Sequence, residues 1–291
     1  MEKIISKAAT LLEALPYVQR FRSQIFVVKY GGSFMDSNDP EERHRVARDI
    51  VFLEAVGINP VVVHGGGKAI TRAIEAAGST ARFLHGQRVT DAATAEIVDQ
   101  VLSREINPEI VEAIQEFGGK ARGFAGPDIF RCRKFQMQES ADDSVDLGFV
   151  GEVVDVNTEP LRECIRRSVT PVISPTARGE DGKVYNCNAD VAAAKTAIAL
   201  KARRLVFMSD VPGLLRDPQD DRSLITHLRV DEVPELRKAG VIAEGMIPKV
   251  ESAVSAIGSG VEKVQFVDGR IPHSVLLEIF TDAGVGTEVV V

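Results

Sequence analysis

Five short β-branched runs constrain this 291-residue chain more than any other feature. They read IFVVKY (25–30), PVVVH (60–64), TPVIS (170–174), RLVFMS (204–209) and KVQFV (263–267). A strand with one wet face alternates between apolar and polar residues, whereas near-continuous apolarity belongs to strands covered on both faces. Between the runs lie helix-length amphipathic stretches with their own punctuation. Asp39 is placed to cap a helix that has Pro40 at its first position, Glu41 and Glu42 at its positive end, and Gly57 to stop it. A second helix is expected to open at Pro108 and stop at Gly118. The stretch 129–156, with IFRCRKFQ and LGFVGEVVDV, reads as extended and predicts a hairpin on one lobe. The fold class that follows is α/β, a three-layer αβα sandwich with an open, mainly parallel sheet.

Two glycine turns interrupt this pattern where strands end. VVVHGGGKAI (61–70) runs from a strand through three glycines into a helix. A Walker A loop fails here, because Ala69 follows Lys68 where a hydroxyl must reach magnesium, and Val62 stands at the first glycine. The dinucleotide fingerprint fails as well, since Ile70 replaces its third glycine. A generic anion cradle or a tight structural turn remains, with the first N–H groups of a helix pointing at the loop. The first strand supplies the second turn, Lys29-Tyr30-Gly31-Gly32-Ser33. Most lysines are solvent-exposed, but Lys29 ends an apolar run where a buried strand has little reason to carry charge. Two such turns at the carboxyl ends of two strands would face one crevice, the ligand edge of an open α/β sheet.

Composition narrows the classes. Hydrophobic residues make up 44% and charged residues 26%, ordinary proportions for a globular chain. The net charge of −7 argues against a nucleic-acid partner. No apolar run is long enough for a membrane span, and MEKIISKAAT lacks the apolar segment of a signal peptide. Cys132, Cys164 and Cys187 share no metal-like spacing, so a cytoplasmic location and no protein-held metal are the expectation.

With these residues in view, the chain resembles the amino acid kinase family and, within it, the acetylglutamate kinases. The matching pieces are VVKYGG (27–32), AVGINPVVVHGGG (55–67), GQRVTDAAT (86–94), GFVGEV (148–153), YNCNADVAA (185–193), SDVPGLL (209–215), EGMIPK (244–249) and DGRIPHSVLLEIFTDAGVGT (268–287). They run in the family's order over almost the whole chain. Lys68 after the glycines, and Ile106-Asn107-Pro108 in place of an Asn-Lys pair, depart from the pattern.

The resemblance implies phosphoryl transfer from ATP, carrying its own Mg2+, to the side-chain carboxylate of N-acetyl-L-glutamate, a step toward arginine. It assigns catalysis to Lys29 and Lys249, held by Asp190. The acetylglutamate contacts would be Gly66, Gly67, Arg88 and Asn186, with Asn188 as a weaker neighbour. The nucleotide would meet Gly32, Asp210, Val211, Pro212, Gly213, Leu214 and Leu215, and Val241, Ile242 and Ala243. Each residue also has an ordinary use: Asp190 as a helix N-cap, Arg88 as a surface arginine, Lys249 as an exposed lysine, His64 as a structural histidine. The family order further implies a helical extension at 1–22, an acetylglutamate lobe at 23–200 and an ATP lobe at 201–291.

The extension carries apolar residues at 4, 8, 11, 12, 15 and 18, a helical stripe that Pro16 should bend and that needs a partner outside the kinase core. In arginine-inhibited relatives such a helix interlaces dimers into a hexameric ring. By that resemblance L-arginine is an effector bound at Tyr17, Glu278 and Gly284, the assembly is a homohexamer built as a trimer of dimers, and a PII-type nitrogen signalling protein is a further candidate partner. Aspartate kinase and glutamate 5-kinase share the fold, as do carbamate and uridylate kinases, but GQRVT, YNCNAD and EGMIPK favour the acetylglutamate branch. A non-catalytic acetylglutamate or arginine sensor is the other alternative, disfavoured by retention of Lys29, Asp190 and Lys249 together.

Overall fold

In the computed structural model, residues 9, 12–32, 40–84, 86–138, 144–243, 245–282 and 284–291 are described. Asp39, Ser33, Glu244 and the apolar positions 4, 8 and 11 lie outside them. Helix α1 (Leu15–Phe21) leads into β1 (Ile25–Tyr30), α2 (Pro40–Ala55), β2 (Asn59–His64) and α3 (Gly67–Ala76). A small hairpin of β3 (Phe83–Leu84) and β4 (Gln87–Arg88) precedes α4 (Ala92–Asp99), a π-helical segment (Gln100–Ile106) and α5 (Asn107–Glu116). Next come β5 (Ala121–Phe124), α6 (Gly126–Ile129), β6 (Phe130–Lys134), β7 (Met137–Gln138), β8 (Ser144–Val145), β9 (Val150–Val156) and α7 (Glu159–Arg166). They are followed by β10 (Thr170–Ile173), β11 (Thr176–Gly179), β12 (Val184–Cys187), α8 (Ala189–Leu200) and β13 (Arg204–Ser209). The chain closes with β14 (His227–Arg229), α9 (Val233–Lys238), α10 (Met246–Gly258), β15 (Lys263–Asp268), α11 (Ser274–Phe280) and β16 (Thr287–Val290).

The main sheet has the order β14-β16-β15-β13-β1-β2-β10-β5. From β15 through β5 every pairing is parallel, and β16 runs antiparallel to β15 with β14 parallel to β16. The five apolar runs form the five contiguous central strands. Their continuous apolarity has a direct cause, because successive side chains in a strand point to opposite faces. In β1, Val27 joins the core under α8 and α10, while Phe26 and Val28 join the one under α2, α5 and α11. Both faces are covered, as the sequence predicts.

The expected hairpin at 129–156 is present as the antiparallel pair β6 and β9, from Phe130 opposite Val156 to Lys134 opposite Gly151. With β11 and β12 it closes into a four-stranded barrel. Pro108 does not open an isolated helix. The helix continues from α4 through the π segment, where Asn107 N–H reaches back to the Leu102 carbonyl, one residue farther than in an α-helix. That wider turn is one way a helix accommodates an interior proline, which has no N–H to give. Gly118 ends the run at φ 84°, and Gly57 sits at φ 87° after α2.

The N-terminal helix is described only in part, with positions 12, 15 and 18 of its expected stripe. Its helical path is broken at Ala14, just before Pro16. Leu12 and Leu15 are 67% and 45% exposed, but Tyr17 and Phe21 dock within the same chain. Phe21 is buried against Phe26 at 5.3 Å between ring centres, and Tyr17 meets Phe280 edge-on at 6.5 Å. The Tyr17–Phe21 side of the helix thus covers the core, and the Leu12–Leu15 side, which belongs to the expected stripe, does not. No helix among the described residues is long and apolar enough to cross a membrane.

Candidate active site

A parallel sheet presents the carboxyl ends of its strands at one edge, and three charged side chains converge there from separate stretches of sequence. Lys29 is the penultimate residue of β1, Asp190 lies in the first turn of α8, and Lys249 in the first turn of α10. Asp190 Oδ2 accepts a hydrogen bond from Lys249 Nζ at 2.5 Å. Its Oδ1 lies 3.2 Å from Lys29 Nζ, an ion pair not aligned as a hydrogen bond. Asp190 is not the cap of its helix. Asn188 fills that role, its Oδ1 accepting from Asp190 N at 2.8 Å and Val191 N at 3.3 Å. The Asp190 carboxylate is thereby left free for the lysines.

Burial would raise the Asp190 pKa, but the two ammonium groups override it and bring it down to about 2. Burial pulls the Lys29 ammonium below the usual lysine range; Asp190 opposes that pull, Lys249 adds to it, and Asp210 at the end of β13 also favours the charged form. Gly31 leaves room for Lys29, since a methyl group there would displace the Lys29 ammonium from its place. Gly32, at φ 132°, continues the turn.

The second glycine turn lies against the first. Gly65 N–H donates to the Tyr30 carbonyl at 2.7 Å, and a methyl group at Gly65 would stand 3.6 Å from Gly31 Cα. The expectation of two turns sharing one crevice holds. Gly66 precedes α3 and packs on the π segment, where a methyl group would come within 2.7 Å of Leu102 Cδ2 and 2.5 Å of Ile106 Cδ1. A methyl group at Gly67 would meet nothing within 4 Å, so this residue opens onto space. The first amides of α3 have no acceptor inside the helix.

Arg88 is not a surface arginine; it is 7% exposed. Its Nη2 donates to the Gly67 carbonyl and to Thr71 Oγ1, each at 2.9 Å, and its guanidinium lies 4.6 Å from the Phe83 ring centre. Nη1 is buried without a partner among the described residues. A guanidinium with one edge anchored and an unused buried donor suits a carboxylate. Asn186 on β12 donates to Thr90 Oγ1 at 3.4 Å, and that hydroxyl donates to the Arg88 carbonyl at 2.8 Å. Gly66, Gly67, Arg88 and Asn186 thus form one neighbourhood, tied together through Thr90.

The remaining predicted residues fall into two further groups. In the loop after β13, Leu214 is buried and its N–H donates to Thr287 Oγ1 at 2.8 Å, while Val211 is 38% exposed. Ile242 is buried, Val241 partly buried and Ala243 exposed. The buried side chains of Leu214 and Ile242 anchor these segments in a shared core cluster. Tyr17 donates to Asp282 Oδ1. Glu278 is buried and accepts from Gln265 Nε2 at 2.9 Å, Val285 N at 2.7 Å and Gly286 N at 3.1 Å. Gly284, at φ 62°, passes so close that a methyl group would stand 2.9 Å from Glu278 Oε2. Glu278 is therefore not a solvated helix residue.

Sequence reasoning gave Asn107 no role. It is 3% exposed, with its Nδ2 lying 3.2 Å from His64 Nε2 and 3.0 Å from the Val172 carbonyl. Its only signal was an odd Ile-Asn-Pro sequence inside a helix. Chemically, the site assembles cations and backbone donors at one sheet edge, with no paired nucleophile and base among the described residues. That inventory suits transfer of an anionic group between anions.

Comparison with known proteins gives the family and the fold. The profile of the amino acid kinase family matches residues 24–268. An acetylglutamate kinase from Heliobacterium modesticaldum is 46% identical over 295 residues, covering 99% of both chains. Another from Syntrophomonas wolfei is 47% identical over 286 residues, covering 98% of both. Among solved structures, the N-acetylglutamate synthase from Neisseria gonorrhoeae, complexed with coenzyme A and N-acetyl-glutamate, superposes with a TM-score of 0.84 at 25% identity. That match covers 98% of this chain and 63% of the synthase. Carbamate kinase from Giardia lamblia shares the fold at a TM-score of 0.64 and 14% identity, over 92% of this chain and 98% of the other.

The ion triad makes a prediction about stability. Asp190 titrates at about 2 in the fold and 3.8 in its ordinary state, so its contribution is complete above pH 3.8 and is lost as pH falls through 2. Asp190→Asn leaves two largely buried ammonium groups without their counter-charge, and should destabilise the chain at pH 7 by roughly 3–5 kcal/mol. Denaturant unfolding at pH 7 checks it; an unchanged midpoint would remove Asp190 from its role as the shared partner.

Proposed function

The chain belongs to the amino acid kinase family, and from that premise we propose how its sheet edge carries out acetylglutamate kinase chemistry. The reaction moves the γ-phosphoryl group of ATP to the side-chain carboxylate of N-acetyl-L-glutamate. A glutamate-type carboxylate has a pKa of about 4.3 and is already ionised at neutral pH, so no general base is needed. The difficulty is bringing an anion onto a polyanion and stabilising the charge on the group in flight. Lys29 and Lys249 do this from two sides, aligned by Asp190. Gly32, Gly66 and Gly67 add backbone donors. Arg88 takes the α-carboxylate in its fork, and Asn186 contacts the acetylamino group. The segments 210–215 and 241–243 hold the nucleotide, which brings its own Mg2+. Residues 23–200 serve as the acetylglutamate lobe and 201–291 as the ATP lobe. The single observation that carries the reading is Asp190 buried between two lysines from different segments of the chain.

Arginine feedback belongs to the same reading. Tyr17 on the N-terminal helix, and Glu278 and Gly284 on the opposite segment, form the effector site, and the exposed Leu12–Leu15 side of the helix serves a hexameric assembly in the cytoplasm. Gln265 Oε1, beside Glu278, is a buried acceptor without a partner among the described residues, and it suits a guanidinium rich in donors. The gonococcal synthase has also been solved with coenzyme A and L-arginine, and that structure superposes at a TM-score of 0.80 and 25% identity.

The direct test is ADP formation with N-acetylglutamate set against aspartate, glutamate, carbamate and UMP. Activity should be confined to the first, and Lys29→Ala and Lys249→Ala should each lower turnover about 10²- to 10³-fold with much smaller changes in substrate binding. Near-normal turnover in either variant refutes its assignment.

Arg88→Lys keeps the charge and loses the fork, so it should raise the KM for acetylglutamate while leaving that for ATP nearly unchanged. An equal effect on both would place Arg88 outside the acetylglutamate pocket.

Feedback requires arginine to favour a less active arrangement by a differential affinity of typically 1–3 kcal/mol. Removing residues 1–22 should abolish inhibition by millimolar arginine and disperse the hexamer. A truncated chain that stays hexameric and fully inhibited contradicts both the effector site and the assembly role.

A further inference from the structure

We propose that His64 and Asn107 are positioning residues that aim the Gly66 amide into the reaction centre; the inference deepens the phosphoryl-transfer reading above and rests on it. His64 ends β2 and is fully buried, with Nδ1 lying 2.8 Å from the Gly65 carbonyl and Nε2 lying 3.2 Å from Asn107 Nδ2. An amide nitrogen has hydrogens to give and no lone pair to offer, so Asn107 must donate to Nε2. The hydrogen of the neutral ring then sits on Nδ1 and is donated to Gly65 O. Asn107 makes this assignment firm, because its second amide hydrogen is committed to the Val172 carbonyl at 3.0 Å. Burial pushes His64 down to about 4, which keeps the ring neutral near neutral pH and preserves the one donor and one acceptor the chain of bonds needs.

The consequence lies in the next peptide. In a planar trans peptide the carbonyl and the following N–H point in opposite directions. Fixing Gly65 O on the side of the buried imidazole turns the Gly66 N–H to the other side, toward the crevice shared by the two glycine turns. The π segment braces the same turn from beneath, through Leu102 and Ile106 against Gly66. It also sets the register that turns Asn107 inward, where Gly123 makes room for it; a methyl group at Gly123 would collide with Asn107 Oδ1. A π turn, a buried amide and a neutral imidazole thus end on one backbone donor. A buried histidine in any role needs both its ring nitrogens paired, so turnover and local exchange, rather than stability, separate positioning from core filling.

The test compares the unaltered chain with His64→Leu, His64→Asn and Asn107→Ala. Three readouts are taken: steady-state kinetics with N-acetylglutamate and ATP, thermal unfolding, and hydrogen–deuterium exchange of the peptide covering residues 61–70. Leucine fills the buried volume and gives Gly65 no donor. Asparagine puts its amide nitrogen near the place of Nδ1, keeping that donor and losing the tie to Asn107. His64→Leu should lower kcat about 10- to 100-fold with the KM for ATP within about twofold, and should speed exchange over 61–70. His64→Asn should recover most of that kcat and hold exchange near the unaltered level. Asn107→Ala, which frees the ring to change tautomer, should reproduce part of the leucine loss. If His64→Leu does not fold, His64→Gln, with its amide at the place of Nε2, takes its place and should behave as leucine would. Equal kcat losses in His64→Leu and His64→Asn, or unaltered kcat and exchange in His64→Leu, overturn the role of His64; full activity in Asn107→Ala removes Asn107 from it. If the unaltered chain forms no ADP with N-acetylglutamate, the substrate reading fails and the exchange measurement alone decides the positioning role.

Discussion

One carboxylate shared by two lysines is the interaction on which the site depends. Taking three charges out of water is unfavourable, and one Asp cannot fully offset two ammonium groups in a poorly solvated place. The arrangement is tolerable because Asp190 is held ionised, at about 2, by the cations it serves. Asp210 also favours the Lys29 charge from a greater distance, and the first amides of α3 have no acceptor in their own helix. A negatively charged ligand completes this balance, and it does so best where charge moves during reaction.

The parallel sheet explains how such distant residues meet. β1 pairs with β2 on one side and β13 on the other, so Lys29 stands level with Val63 and Phe207, near the start of both neighbouring turns. Asn188 then caps α8 and leaves the next acidic residue unemployed by its own helix. Lys249 has no such local support, since a cation in the first turn of α10 opposes the helix dipole. Its bond to Asp190 supplies the compensation. The oddity visible in EGMIPK, a lysine at the wrong end of a helix, is resolved by a partner 59 positions away.

Much of this was legible in the sequence, for reasons that also explain what was not. The central strands announce themselves because both their faces are buried. β5 (ARGF), β14 (HLR) and β16 (TEVV) lie toward the sheet's edges, are short, and mix polar with apolar residues, so no run marks them. Pro108 carries the signal of a helix start, yet tertiary packing continued the helix through it by widening one turn. Lys29 and the glycine turns can be read from the residues because each breaks a local rule, whereas Asp190 follows from the family resemblance alone. Asn107 and the buried face of Arg88 cannot be read so, because their meaning lies in contacts: Asn107 with His64 and Val172, and Arg88 with Gly67, Thr71 and Phe83. The N-terminal helix is read in part for a related reason. Periodicity identifies an apolar stripe but not its orientation, and here Tyr17 and Phe21, beside the counted positions, make the docking face.

The charged triad also joins two stretches of chain mechanically. Lys29 and Asp190 belong to elements before residue 200, while Lys249 is carried by α10, which packs along α8. Any displacement of α10 relative to α8 must stretch the Lys249–Asp190 contact before it reaches the Lys29 pair, which is longer and less aligned. A shift of about 1 Å is enough to matter, since misplacement on that scale can cost about 10²-fold in rate. Across β15, on the opposite face of the sheet, lies α11, where Glu278 pins the 284–286 turn. Packing that is dense on both faces of one sheet leaves few ways to move one of these contacts without moving the next.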